Sequence, residues 1–167
     1  MEISYLSQGA IKTGGYRHEL FFAQELQRTI PSSSLKTLRL AQNFSGLSHL
    51  KMQWWGFKNS GSEITVVGIR LALVVLLRNL FSKNRIFIVL HNFDNEDGKS
   101  WSLKCYYKTL FRLINRFDNR VGIVTVSPFF KTFFEQKLKR EVFLFPNFFD
   151  THYLENFKTL IKQNYQS

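Results

Sequence analysis

Arg85-Ile86-Phe87-Ile88-Val89-Leu90 is the stretch that decides the fold. After the arginine, every residue is β-branched, aromatic or leucine, and no polar residue alternates with them. Such a run marks a strand covered on both faces, as in a parallel sheet. Val121 to Val126 has the same character. Between the two runs the apolar period changes to that of a helix. Leu103, Tyr107, Leu110, Ile114 and Phe117 fall on one side, and Lys104, Lys108, Arg112, Arg116 and Arg120 on the other. Strand, amphipathic helix, strand is the order of a parallel βαβ unit.

Working outward, Ile3 to Leu6 predicts a first short strand, followed by Ser7-Gln8-Gly9 and Gly14-Gly15. A helix from about Gly15 to Thr29 has Phe22, Ala23, Leu26 and Ile30 on one face. Pro31 and the serines after it end that helix. Leu35 to Ala41 and His49 to Phe57 read as two more strands, and Asn59-Ser60-Gly61 as a turn. The most apolar run, Ile64 to Leu80, is interrupted by Arg70 and Arg78, too short and too charged for a membrane span. It reads as a largely buried helix reaching Phe81. Beyond the second buried strand, Ser127 and Pro128 are a favoured N-cap and first helical residue. The helix they open would bury Phe130, Phe133, Phe134 and Leu138. Val142 to Phe145 predicts a last strand stopped by Pro146, and a C-terminal helix is expected over about 151–164. The sum is an α/β fold with a mainly parallel sheet of about six strands, expected to form one domain over residues 1–167.

Composition narrows the function classes. The chain of 167 residues is 44% hydrophobic and 16% aromatic, which excludes a disordered chain. Its single cysteine, Cys105, excludes an intramolecular disulfide and a Cys-rich zinc site. The N-terminus reads as a strand rather than a secretory signal, and a cytoplasmic location is expected. The net charge is +11, and residues 99–140, with ten Lys/Arg against two acids, carry +8 of it. The basic helix face is read either as a solvated surface or as a site for anionic lipid, an anionic acceptor or nucleic acid.

In open parallel sheets ligands bind at the carboxyl ends of the strands. That rule selects the loops after Leu6, Leu90, Val126 and Phe145. Gly9, Gly14 and Gly15 sit in the first, leading to a helix N-terminus where a phosphate could approach the backbone. The spacing matches neither a dinucleotide fingerprint nor a P-loop, so a plain tight turn is the competing reading. His91 ends the most deeply buried strand. There an imidazole can exchange protons or stabilise positive charge, or simply serve as a hydrogen-bonded structural residue. Asp94, Glu96 and Asp97 read as a solvated loop rather than a metal site, and no metal is expected. The sequence has no nucleophile motif.

Taken in order, these segments resemble the N-terminal, acceptor-side domain of a GT-B glycosyltransferase of the family-four-like kind. The matching stretches are Gly14-Gly15-Tyr16-Arg17-His18-Glu19, Ile88-Val89-Leu90-His91-Asn92, Ile123-Val124-Thr125-Val126-Ser127 and Phe145-Pro146-Asn147. The resemblance implies a Rossmann-like three-layer sandwich. Gly14 and Gly15 would approach the phosphates of a nucleotide-sugar donor, and His91 would be the catalytic residue facing the anomeric centre. Ser127 and Asn147 would hold strand ends near the cleft. The basic face of Lys104, Lys108, Arg112, Arg116 and Arg120 would meet a lipid-linked or polysaccharide acceptor, or the anionic inner face of a membrane. The nucleotide-sugar is a co-substrate, and no further cofactor is implied.

Two departures stand out. Pro146-Asn147-Phe148-Phe149-Asp150 lacks the glycine that the family places after Pro-Asn. A donor-binding second half is also missing from these 167 residues, so activity would need a second domain or subunit. A non-catalytic binding or scaffolding module is the alternative, and a basic nucleic-acid binder a third, with nucleic acid not expected as partner.

Overall fold

The computed structural model describes residues 1–7, 14–40, 48–90, 100–145 and 159. Six strands and five helices alternate through them. They are β1 (Glu2–Ser7), α1 (Gly14–Thr29), β2 (Ser34–Arg39), α2 (Ser48–Asn59), β3 (Ile64–Gly68), α3 (Ile69–Arg78), β4 (Arg85–Leu90), α4 (Trp101–Arg116), β5 (Val121–Thr125), α5 (Pro128–Leu138) and β6 (Phe143–Leu144). All five strand pairings are parallel, in the order β2-β1-β3-β4-β5-β6. The expected Rossmann-like three-layer α/β fold is what the chain forms.

Period-two alternation splits the strands between two cores. Ile86, Ile88 and Leu90 of β4 face one way with Val67, Val121 and Ile123. Helices α2 to α5 cover that face through Met52, Leu71, Val75, Leu110, Ile114, Phe134 and Leu138. Phe87 and Val89 face the other way with Ile3, Tyr5, Ile64 and Val66, against Phe22, Ala23 and Leu26 of α1. Full burial of such side chains contributes roughly 1.5–3 kcal/mol each. This explains why β4 is apolar at every position from Ile86 onward.

Two expected elements are corrected. The run Ile64 to Phe81 is not one helix. Ile64 to Gly68 form β3, in the middle of the sheet, and α3 begins at the next residue. Thr65, Val66 and Val67 are β-branched and pair with both β1 and β4, whereas Leu71, Ala72 and Leu73 favour the helix. A fully apolar run has no period that separates the two states. The second correction is His49 to Phe57, which lie in a helix, α2, and not in a strand. Met52 and Gly56 turn inward while Leu50, Trp54 and Phe57 turn outward, a helical spacing rather than alternation. The expected C-terminal helix over 151–164 lies outside the described residues, apart from Thr159, which is helical and exposed.

Candidate functional site

The chain runs from β1 outward to β2, then returns past β1 to β3, so the strand order reverses between β1 and β3. In doubly wound sheets that reversal opens a crevice at the carboxyl ends. At this reversal β1 and β3 end in Ser7 and Gly68, both buried. Glu19 of α1 reaches it with only 6% of its surface exposed. The Tyr5 hydroxyl donates to Glu19 Oε2 at 3.0 Å. A Cβ at position 68 would lie 2.5 Å from Glu19 Oε1, so glycine is what lets the carboxylate rest over the end of β3. Neither residue stands out by spacing, yet Glu19 shares a helical face with Phe22, Ala23 and Leu26. A carboxylate on an apolar face is the signal that marked it.

Gly14 and Gly15 are the first residues of α1, on the chain leaving β1. Ser127 occupies the N-cap of α5 with extended backbone, and Pro128 follows it. Its carbonyl accepts from Lys131 N–H at 2.9 Å, but its hydroxyl makes no cap hydrogen bond. Thr125 Oγ1 donates to the Leu90 carbonyl at 3.1 Å and latches the ends of β5 and β4 together. His91 follows directly on Leu90, but His91, Asn147 and the Asp94–Asp97 loop lie outside the described residues.

The basic face divides. Lys104, Lys108, Arg112 and Arg116 are exposed on α4. Arg120 does not continue the row, because α4 ends at Arg116 and Asp118–Arg120 form a 3-10 turn into β5. The buried Phe117 pins that turn to the core, and the Arg120 guanidinium lies 4.8 Å above its ring. Arg120 also donates to the Leu80 carbonyl at 3.5 Å.

Three of the α4 cations line a cavity of about 450 Å³ between α4 and α5, with Trp101, Cys105, Phe111, Asn115 and Lys137. Among the described residues no acidic side chain lines it. Lys137 comes from α5, its ammonium 4.9 Å from the Phe111 ring centre and 5.6 Å from that of Phe133. Its place in the groove depends on how two helices pack, and one helical period does not reveal that.

The groove walls are firmly placed. Tyr106 of α4 donates from its hydroxyl to the Ile69 carbonyl at 2.6 Å and accepts from Leu73 N–H, binding α4 to the first turn of α3. Burial pushes the Tyr106 phenol well above its usual range. Arg140 donates to the carbonyls of Ile114 and Val121, joining the end of α4 and the start of β5 to the chain after α5. Glu135 accepts from Lys131 and from Val142 N–H, which fixes α5 to the segment entering β6.

The hydrogen bond from Lys131, aided by Val142 N–H, holds the Glu135 carboxyl below its usual range. A carboxylate depressed in the folded state stabilises above its ordinary pKa of 4.5, and that stability is lost as pH falls through the folded value. The melting temperature of the wild type minus that of Glu135→Gln should therefore shrink as pH falls below about 4.5. A difference that stays constant down the pH series would show that the clip does not depend on ionisation.

The helix layer of α2, α3 and α4 carries Lys51, Lys58, Arg70, Arg78, Lys104, Lys108, Arg112 and Arg116 and not one Asp or Glu. Leu50, Trp54 and Phe57 lie at helical spacing on the outer side of α2, with Leu50 73% and Trp54 68% exposed. The Trp54 and Phe57 rings stack at 5.9 Å, and Arg78 of α3 sits 5.8 Å from the Phe57 ring centre. Among the described residues no helix is long and apolar enough to cross a membrane.

Comparison with family models, curated proteins and solved structures found no match to this chain.

Proposed function

We propose that the chain is the acceptor-side domain of a GT-B-type glycosyltransferase, working in sugar transfer from a nucleotide-sugar to a lipid-linked or polysaccharide acceptor. The observation that carries the reading is where the ordered motifs fall on an all-parallel sheet. Gly14-Gly15 opens the helix after β1, His91 follows β4, Ser127 caps the helix after β5, and Pro146-Asn147 follows β6 by one residue. These are carboxyl ends of strands, where such folds do their chemistry. On this reading His91 faces the anomeric centre, and a second domain or subunit holds most of the donor.

The direct test supplies labelled nucleotide-sugars to membranes from cells lacking the gene, with and without the added chain. Label should enter the lipid or polysaccharide fraction only when the chain is present. Chain-independent labelling across all donors would leave the transferase reading without support and favour a binding module of the same fold.

The acid-free helices α2, α3 and α4 and the exposed stripe on α2 support peripheral docking to an anionic membrane. Aromatic and leucine side chains enter the interfacial zone while the surrounding Lys and Arg meet the headgroups. Binding to vesicles of phosphatidylcholine and phosphatidylglycerol should weaken with salt. The joint substitution Trp54→Ser and Phe57→Ser should reduce it by about tenfold or more. Trp54 is 68% exposed but Phe57 only 37%, so a small drop in melting temperature is expected beside a far larger loss of vesicle binding. Undiminished vesicle binding by that variant would remove α2 from the docking surface.

A further inference from the structure

Among the described residues the groove between α4 and α5 carries four cations and no acid, and a surface that only needs solvation has no reason to gather them in a cavity. Lys104, Lys108 and Arg112 recur every four residues on α4, so they rise by about 6 Å per step and span about 12 Å along the groove. Lys137 faces them from α5. Among the described residues no carboxylate pairs with Lys104, Lys108 or Arg112. Trp101, 80% exposed, and Phe111 add apolar surface beside the charge.

We infer that this groove binds a diphosphate group, with Lys104, Lys108, Arg112 and Lys137 on its oxygens and the exposed Trp101 against whatever the diphosphate carries. A single phosphate offers its oxygens within less than one turn of α4. A diphosphate spreads them over about one turn, so flexible cations from neighbouring turns can converge on it, and it brings the higher opposite charge that the row of cations calls for. Arg112 supplies a planar donor fork suited to phosphate, and the lysines supply mobile point charges. The diphosphate can come from a nucleotide or from an isoprenoid lipid; the groove recognises the part they share. The inference refines the acceptor side of the proposed function and rests on that reading only for which diphosphate arrives.

Cys105 lines the same groove, is half-buried, and is the chain's one cysteine, so its alkylation reports occupancy without involving sugar transfer. The experiment follows the rate of Cys105 alkylation by iodoacetamide in the full chain at fixed ionic strength. Three probes are titrated: inorganic pyrophosphate, uridine diphosphate and farnesyl diphosphate. All three should slow the reaction saturably. A lower half-saturation for farnesyl diphosphate assigns the flank to a lipid chain, and one for uridine diphosphate assigns it to a nucleoside. Lys137→Gln and Lys104→Gln should each raise the half-saturating concentration by about tenfold, which is the loss of roughly 1.4 kcal/mol from one charge-assisted contact. Lys83→Gln, exposed between α3 and β4 and outside the groove, should leave it within about twofold. Protection that does not saturate, or equal weakening by Lys83→Gln and Lys137→Gln, would mean a diffuse basic field and overturn the site. Failure here with intact membrane labelling would remove the groove and leave the transferase reading standing; the reverse result would do the opposite.

Discussion

Gly122→Ala is expected to lower the unfolding free energy by about 2–3 kcal/mol, the upper part of the range for overpacking a core. Gly122 lies in β5, between β4 and β6. A Cβ built there would fall 2.6 Å from two ring carbons of Phe87. Phe87 has no room to yield. It is fully buried, its ring packs edge-on at 5.5 Å against Phe22, and Phe22 packs in turn at 5.3 Å against Phe145. The added methyl must therefore displace either the ring stack under α1 or the β4–β5 pairing. For a chain of this size the melting temperature should fall by about 5–10 °C. Phe87→Leu in the same chain should recover part of the loss, because it removes the clashing ring edge, and the double-mutant cycle should show favourable coupling. A melting temperature unchanged within error would show that the strands part at no cost.

On the proposed transferase reading, His91→Ala is expected to reduce sugar transfer by about 10²- to 10⁴-fold, the usual contribution of a positioned acid–base group. His91 follows the last residue of β4, the strand buried on both faces. A histidine at a strand end exchanges a proton near neutral pH, which suits the group opposite a developing positive charge. The loss should appear in kcat with the melting temperature unchanged. His91→Gln, which keeps hydrogen bonding but not the titration, should be nearly as impaired. If both variants transfer sugar at wild-type rates, His91 has no part in the chemistry. If both lose stability instead, the structural reading of this histidine holds.

Much of the fold is legible without coordinates. Arg85–Leu90 and Val121–Thr125 are strands because their β-branched and aromatic residues suit a doubly covered sheet. Ser127-Pro128 opens α5 because an N-cap followed by proline at the first helical position is a local signature. The basic side of α4 follows from residue spacing alone, except at Arg120. There Phe117 is buried as its spacing predicts, but α4 ends at Arg116 and the 3-10 turn after it carries Arg120 out of the row, a break that the period does not show.

What the chain alone determined was the α/β class, the parallel sheet and the concentration of positive charge around α4. Propensity, periodicity and charge act within a few residues, and they are written directly into the sequence. The tertiary structure decided that Ile64–Gly68 is a middle strand and that residues 48–59 are a helix. It also placed Glu19 over Gly68 at the strand-order reversal and brought Lys137 to complete the groove of α4. Each depends on partners distant in sequence. An apolar run becomes strand or helix according to what covers it, and a cation joins a site only when another element carries it there.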